Sequence, residues 1–152
     1  MKTPHLLIVL LTAALSFAAG AAFEHTAQGA PLASCIIRQA DAKKSSGDWG
    51  SIRIYSPDST TTQGTHSMLT AELEFLPGKQ LQPPHRHANE EFQYVIEGRG
   101  TWHLNGQDLP LEKGDLMYAQ PGVLHGIANT GTEPLRFFVV KWISKGAVRA
   151  LP

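Results

Sequence analysis

Residues 78–98 read GKQLQPPHRHANEEFQYVIEG. They set His85 and His87 two residues apart and bring Glu91 four residues after the second histidine. On an extended backbone alternate residues project to one face, so His85, His87 and Glu91 are expected on one side and Arg86 on the other. Two imidazoles and a carboxylate on one side make most of a coordination shell for a divalent ion. A fourth donor is needed, and His125 in QPGVLHGIANTG (120–131) is the best candidate. Glu90 adjoins Glu91 but falls on the side of Arg86, so it reads as an exposed neighbour and not as a ligand.

Outward from this stretch the chain reads as strands. Residues 67–76 alternate, with Leu69, Ala71, Leu73 and Phe75 on one face and Met68, Thr70, Glu72 and Glu74 on the other. That is the pattern of a half-buried strand. Pro77-Gly78 ends it. Short strands are then expected at 91–96, 101–104, 109–111, 116–119, 123–128 and 133–144, each bounded by glycine or proline, with Asn105-Gly106 as a hairpin turn. Upstream, 35–38 reads as a first short strand, 40–48 as a solvated loop, 49–55 as a strand and 56–64 as a long polar connection. With no convincing helical period and no internal repeat, the pattern predicts an all-β sandwich or barrel. The same parity places Gln93 and Val95 inward with Glu91 and leaves Phe92, Tyr94 and Ile96 on the opposite face. That face is too apolar for water. Its cover is either the amino-terminal strands or a second copy of the chain, and a homodimer is expected.

The order glycine, short run, His-x-His, Glu, glycine in 78–98 resembles the first motif of the cupins. GDLMYAQPGVLHGIAN (114–129) resembles their second motif, with His125 in the place of its last ligand. The resemblance covers roughly residues 69–143 and implies a double-stranded β-helix, the jelly-roll barrel. It also implies a metal site made by His85, His87, Glu91 and His125, holding a divalent transition ion: Fe, Mn, Ni, Cu or Zn. Two departures touch no ligand. Six residues, where five are usual, separate Gly78 from His85, and Gln120 stands where proline is usual, with Pro121 following at once. Cupins with a similar ligand set include dioxygenases and oxalate-converting enzymes of the germin type. The resemblance therefore implies a metal-dependent enzyme, an oxidoreductase, acting on a small molecule. A non-catalytic metal- or small-molecule-binding cupin and an isomerase are the alternatives. No residue outside the ligand set stands out as a general acid or base, so no catalytic residue is assigned.

The chain has 152 residues, enough for one domain with a sizeable core. Residues 1–21 read as a secretory leader: Lys2, an apolar centre at 6–15, and a small-residue cleavage site at Ala19-Gly20-Ala21. The expected products are an exported chain of residues 22–152, periplasmic or secreted, and no stable membrane insertion after cleavage. Cys35 is the single cysteine, so packing must stabilise the fold, and its expected place is partly buried near the first strand. Thirteen acids balance thirteen bases with no basic stripe, which argues against a nucleic-acid partner. Among the remaining residues, His25 and His66 read as surface, His103 as facing cavity or solvent, and Asn129 as fixing a turn. Gln93 and Tyr118 are candidates to line a pocket. Trp102, Phe137, Phe138 and Trp142 read as barrel packing.

Overall fold

The structure, a computed structural model, describes residues 30–146. The expected leader, its cleavage site and His25 lie outside the described residues. The strands are β1 (Lys43–Gly47), β2 (Gly50–Thr60), β3 (Thr65–Phe75), β4 (Glu90–Glu97), β5 (Arg99–Leu104), β6 (Gln107–Glu112), β7 (Leu116–Ala119), β8 (His125–Ala128) and β9 (Leu135–Ser144). They form two antiparallel sheets, one ordered β1-β2-β3-β9-β4-β7 and the other β6-β5-β8. This is the jelly-roll barrel expected, with the core between the sheets. The β5–β6 hairpin turns on Asn105 (φ 50°) and Gly106 (φ 81°), the two left-handed residues that a tight hairpin demands.

The alternation of β3 is realised as read: Ala71, Leu73 and Phe75 are buried, while Glu72 and Glu74 lie half-buried on the other face. Opposite them on β9, Leu135, Phe137 and Val139 turn the same way. Phe137 pairs in register with Leu73 on one side and Val95 on the other, and its ring meets Phe75 edge-on at 5.0 Å. Phe75, Val95, Leu135 and Phe137 are at most 1% exposed, so this end of the barrel is closed. The row Leu69–Lys141–Glu91 lies two layers away and opens into a cavity.

Several expectations are corrected. Residues 35–38 form no strand; a single 3-10 turn at Gln39–Asp41 follows them, and Cys35 is exposed. Residues 40–48, expected to be a loop, contain β1. Its five residues are all exposed and lack apolar side chains, so only backbone pairing with β2 holds the strand. A strand held that way has no periodicity to read. The polar stretch after Tyr55 continues β2 as far as Thr60 through register shifts, with Ser56 hydrogen-bonded to Thr70 at 2.7 Å. Phe138 and Trp142 do not pack the barrel interior. They lie on the outer face of β9, against Tyr55 and Phe92 respectively, because Phe137, Val139 and Lys141 take the inward parity. Tyr118 likewise lies outside, 46% exposed, and donates a hydrogen bond to Glu90 at 2.8 Å, which holds the phenol above its ordinary pKa.

Candidate metal centre

His85 and His87 lie on the segment that follows Pro83-Pro84, whose rings restrict the backbone to extended conformations. His85 joins β8 by a two-way backbone bridge to His125, N–O distances 2.8 and 3.0 Å. Gly126 permits this approach, since a Cβ there would stand 3.0 Å from the Cα of Pro84. The backbone N–H of Gly122 donates to the carbonyl of His87, and the exposed Arg86 reaches back to the carbonyl of Gly122. The segment is thereby pinned against the turn before β8. A bend at Ala88–Asn89 separates it from β4. His85, His87 and Glu91 thus do not share one continuous strand face, as parity suggested. They converge because the bend folds the histidine segment over the start of β4.

The side chains meet where the two sheets face each other. One ligand atom from each of His85, His87 and His125 lies within 4.8 Å of the others. Glu91 stands beside them, its Oε2 3.0 Å from His87 Nε2 and its Oε1 3.9 Å from His125 Nε2. Each imidazole presents Nδ1 to a backbone carbonyl: Pro83 at 3.3 Å, Asn89 at 3.2 Å and Val123 at 2.9 Å. Donation of Nδ1–H to Val123 O sets the tautomer of His125 and leaves its Nε2 as a lone-pair donor; His85 and His87 take the same form when an ion accepts their Nε2 lone pairs. The Nε2 of His125 is buried and has no hydrogen-bond partner. Such a buried acceptor is costly unless something takes its lone pair. His87 faces an acceptor at each ring nitrogen, Asn89 O at Nδ1 and Glu91 Oε2 at Nε2. A cation between Nε2 and the carboxylate resolves that arrangement. The three histidines form a cluster that can hold a metal ion, and the Glu91 carboxylate stands beside it.

Charge and burial favour the ligating forms. Burial, with His125 beside it, holds His85 below the ordinary imidazole pKa. Burial pushes Glu91 upward, but hydrogen bonds from His87 and Gln93 outweigh it and hold the carboxyl below its ordinary value. Gln93, buried, donates to Glu91 Oε1 and fixes the carboxylate. Gln82 donates to His85 Nε2 at 2.8 Å at the rim.

A sequence model of the cupin domain matches residues 71–141, from the core of β3 to the inward lysine of β9. The chain belongs to the cupin superfamily. This cupin is 37% identical over 73 residues to an oxalate-binding protein of Thermotoga maritima, a match covering 47% of this chain and 60% of that protein. It is 31% identical over 72 residues to a gentisate 1,2-dioxygenase of a Streptomyces species, covering 47% of this chain and 20% of the relative. The cupin thus spans less than two thirds of the length of either. Among solved structures it resembles an RmlC-like cupin from Shewanella frigidimarina at 15% identity, with a TM-score of 0.58, over 72% of this chain and 91% of the other. That likeness shows the fold.

Other residues resolve plainly. Gln93 lines the cavity as expected. Asn129 is a structural residue, 1% exposed: its amide donates to the carbonyls of Phe75 and Glu133, and its Oδ1 accepts from Gly131 N–H. His66 is exposed, and His103 pairs with Asp108 across the β5–β6 hairpin, away from the centre. Lys141 was missed. The signal was available: in LRFFVVKWI (135–143) it is the single charge on the parity of Phe137 and Val139. The Nδ1 acceptors, being backbone carbonyls, leave no trace in residue type.

Proposed function

We propose that this cupin is an exported metal-dependent enzyme acting on a small molecule, of the dioxygenase or oxalate-converting type. The ion is a divalent transition metal (Fe, Mn, Ni, Cu or Zn) held by His85, His87, Glu91 and His125. One observation carries the reading: three imidazoles converge, the Nε2 of His125 buried among them without a hydrogen-bond partner, and His85, His87 and Glu91 line a mostly apolar cavity. A bound ion supplies Lewis-acid stabilisation of negative charge developing on a substrate. The chain's own contribution is to fix the donors and exclude water. The backbone carbonyls of Pro83, Asn89 and Val123 orient the rings, Gln93 orients Glu91, and Leu73, Phe137 and Val139 dry the cavity. The relatives named for oxalate binding and for gentisate dioxygenation support a small oxygen-rich or aromatic substrate.

The test is metal content by mass spectrometry on protein purified without added metal, followed by oxygen consumption against catechols, flavonols, diketones and oxalate. His85→Ala, His87→Ala and His125→Ala are each expected to lose metal, and His66→Ala to keep it. Equal metal content across the four variants defeats the ligand assignment. Metal binding without turnover of any of these compounds favours a non-catalytic binder, which the name of the Thermotoga relative also favours. Export predicts a mature chain beginning near Ala22; an intact Lys2 on exported protein overturns it.

The reading includes a homodimer. Phe92 and Tyr94 are 38% and 47% exposed on the outer face of β4, beside Leu116 and Tyr118 of β7. The amino-terminal strands lie at the far edge of the same sheet. A two-fold contact through this face is the simplest cover.

A further inference from the structure

The cavity beside the metal centre has a volume of about 130 Å³, room for about four waters or for a body of about a benzene ring's size. Its closed end is apolar, lined by Leu73, Phe75, Ile127 and Phe137. Its open end is polar. There Lys141 of β9 stands in register with Glu91 of β4, so the two side chains are cross-strand neighbours on the inner face. Lys141 is 24% exposed and lines the cavity; Glu91 is the only other Lys, Arg, Asp or Glu among the lining residues. Lysine is seldom placed on an inward parity among Phe137 and Val139 without a partner. Asp58 of β2, 55% exposed, supplies one at 3.1 Å. The ammonium has three donors, and a single ion pair leaves others free to turn into the cavity.

We infer that Lys141 is the specificity-determining cation of this pocket, and that its ligand is a small organic acid with a compact apolar body. The inference rests on the metal reading above and deepens it. A divalent ion bound through one carboxylate leaves the centre with an excess positive charge, and Lys141 adds a second on the same rim. An anionic group bridging them is favoured twice: by charge and by a charge-assisted hydrogen bond from Nζ. The apolar end then takes a ring or branched chain, which a fully polar dianion such as oxalate cannot offer. Asp58 aims the ammonium from the solvent side without entering the cavity lining. Lys141 is thus a binding and positioning residue, distinct from the ligands.

The test is calorimetric titration of the zinc-loaded protein with benzoate, benzyl alcohol and oxalate, with metal content measured on the same samples. Wild type is expected to bind benzoate at least tenfold more tightly than benzyl alcohol, and more tightly than oxalate. Lys141→Gln should weaken benzoate tenfold or more while leaving benzyl alcohol unchanged, and Lys141→Arg should restore most of the loss. All three proteins should hold equal zinc. A merely structural Asp58–Lys141 tie would move both aromatic probes together, and that outcome overturns the proposal. So do unchanged benzoate affinity in Lys141→Gln, no benzoate binding to zinc-loaded wild type, and preference for oxalate. Failure of wild type to hold zinc instead defeats the metal reading on which the proposal stands.

Discussion

Replacing His125 by leucine should separate the stability of this fold from its capacity to hold metal. His125 is 2% exposed; its Nδ1 is bonded to Val123 O at 2.9 Å and its Nε2 is bonded to nothing. In the metal-free protein the bare Nε2 costs about 1–3 kcal/mol, the penalty of a buried acceptor left unmade. Leucine is close to imidazole in volume and removes that penalty. It forfeits the Nδ1 bond, worth about 0.5–1.5 kcal/mol. The backbone bridge to His85 is untouched, because it uses only N–H and C=O groups. The metal-free variant should therefore range from about 0.5 kcal/mol less to about 2.5 kcal/mol more stable than wild type. With metal the order reverses. At a free concentration one hundred times its Kd, the ion stabilises wild type by about 2.7 kcal/mol, a Tm rise of roughly 10 °C for a domain of this size. The variant, short of one donor, should show little rise. Chelator-treated and metal-loaded samples compared by calorimetry and urea unfolding measure both halves. A metal-free variant more than about 0.5 kcal/mol less stable than wild type would show that Nε2 carries no uncompensated desolvation. An undiminished metal-induced Tm rise would remove His125 from the ligand set.

Asn129→Ala breaks three hydrogen bonds at a residue 1% exposed and should cost about 3 kcal/mol of stability with metal content per folded chain unchanged; loss of metal from folded protein would contradict its structural role. The pH dependence of the metal-free protein has a definite sign. His85 and Glu91 both have folded pKa values below their ordinary ones, so the unfolded chain binds more protons as the medium acidifies. The stability they contribute is complete above the ordinary imidazole range. It is lost as pH falls through the depressed His85 value, and further below the carboxylate range as Glu91 protonates. Melting temperatures of chelated protein should decline on acidification, and His85→Gln should remove the upper part of the decline; a profile identical to wild type refutes the assignment. Light scattering at micromolar concentration should give twice the monomer mass, and Tyr94→Glu, on the exposed face of β4, should shift it toward monomer. A monomeric wild type rules the dimer out.

What the residues alone determined is local. Period-two alternation marked β3 and the inward set Glu91, Gln93 and Val95, because side-chain direction along a strand needs only the neighbours two positions away. Asn105-Gly106 announced its hairpin because few other pairs tolerate two left-handed residues. His85-x-His87 and the two glycine-framed motifs pointed to the site and the family. Strand β1 was illegible, since KKSSG is held by backbone bonds that any sequence can make. The tertiary structure alone decided which side chains from different strands meet. It brought His125 on β8 of the small sheet to Glu91 on β4 of the large one, and it set Lys141 opposite Glu91. It also sent Phe138 and Trp142 outward. These are matters of register between segments 34 to 50 residues apart, as from Glu91 to His125 and to Lys141. A slip of one residue exchanges the faces of a strand, and the packing of Leu73, Phe137 and Val95 against one another selects the register that is realised.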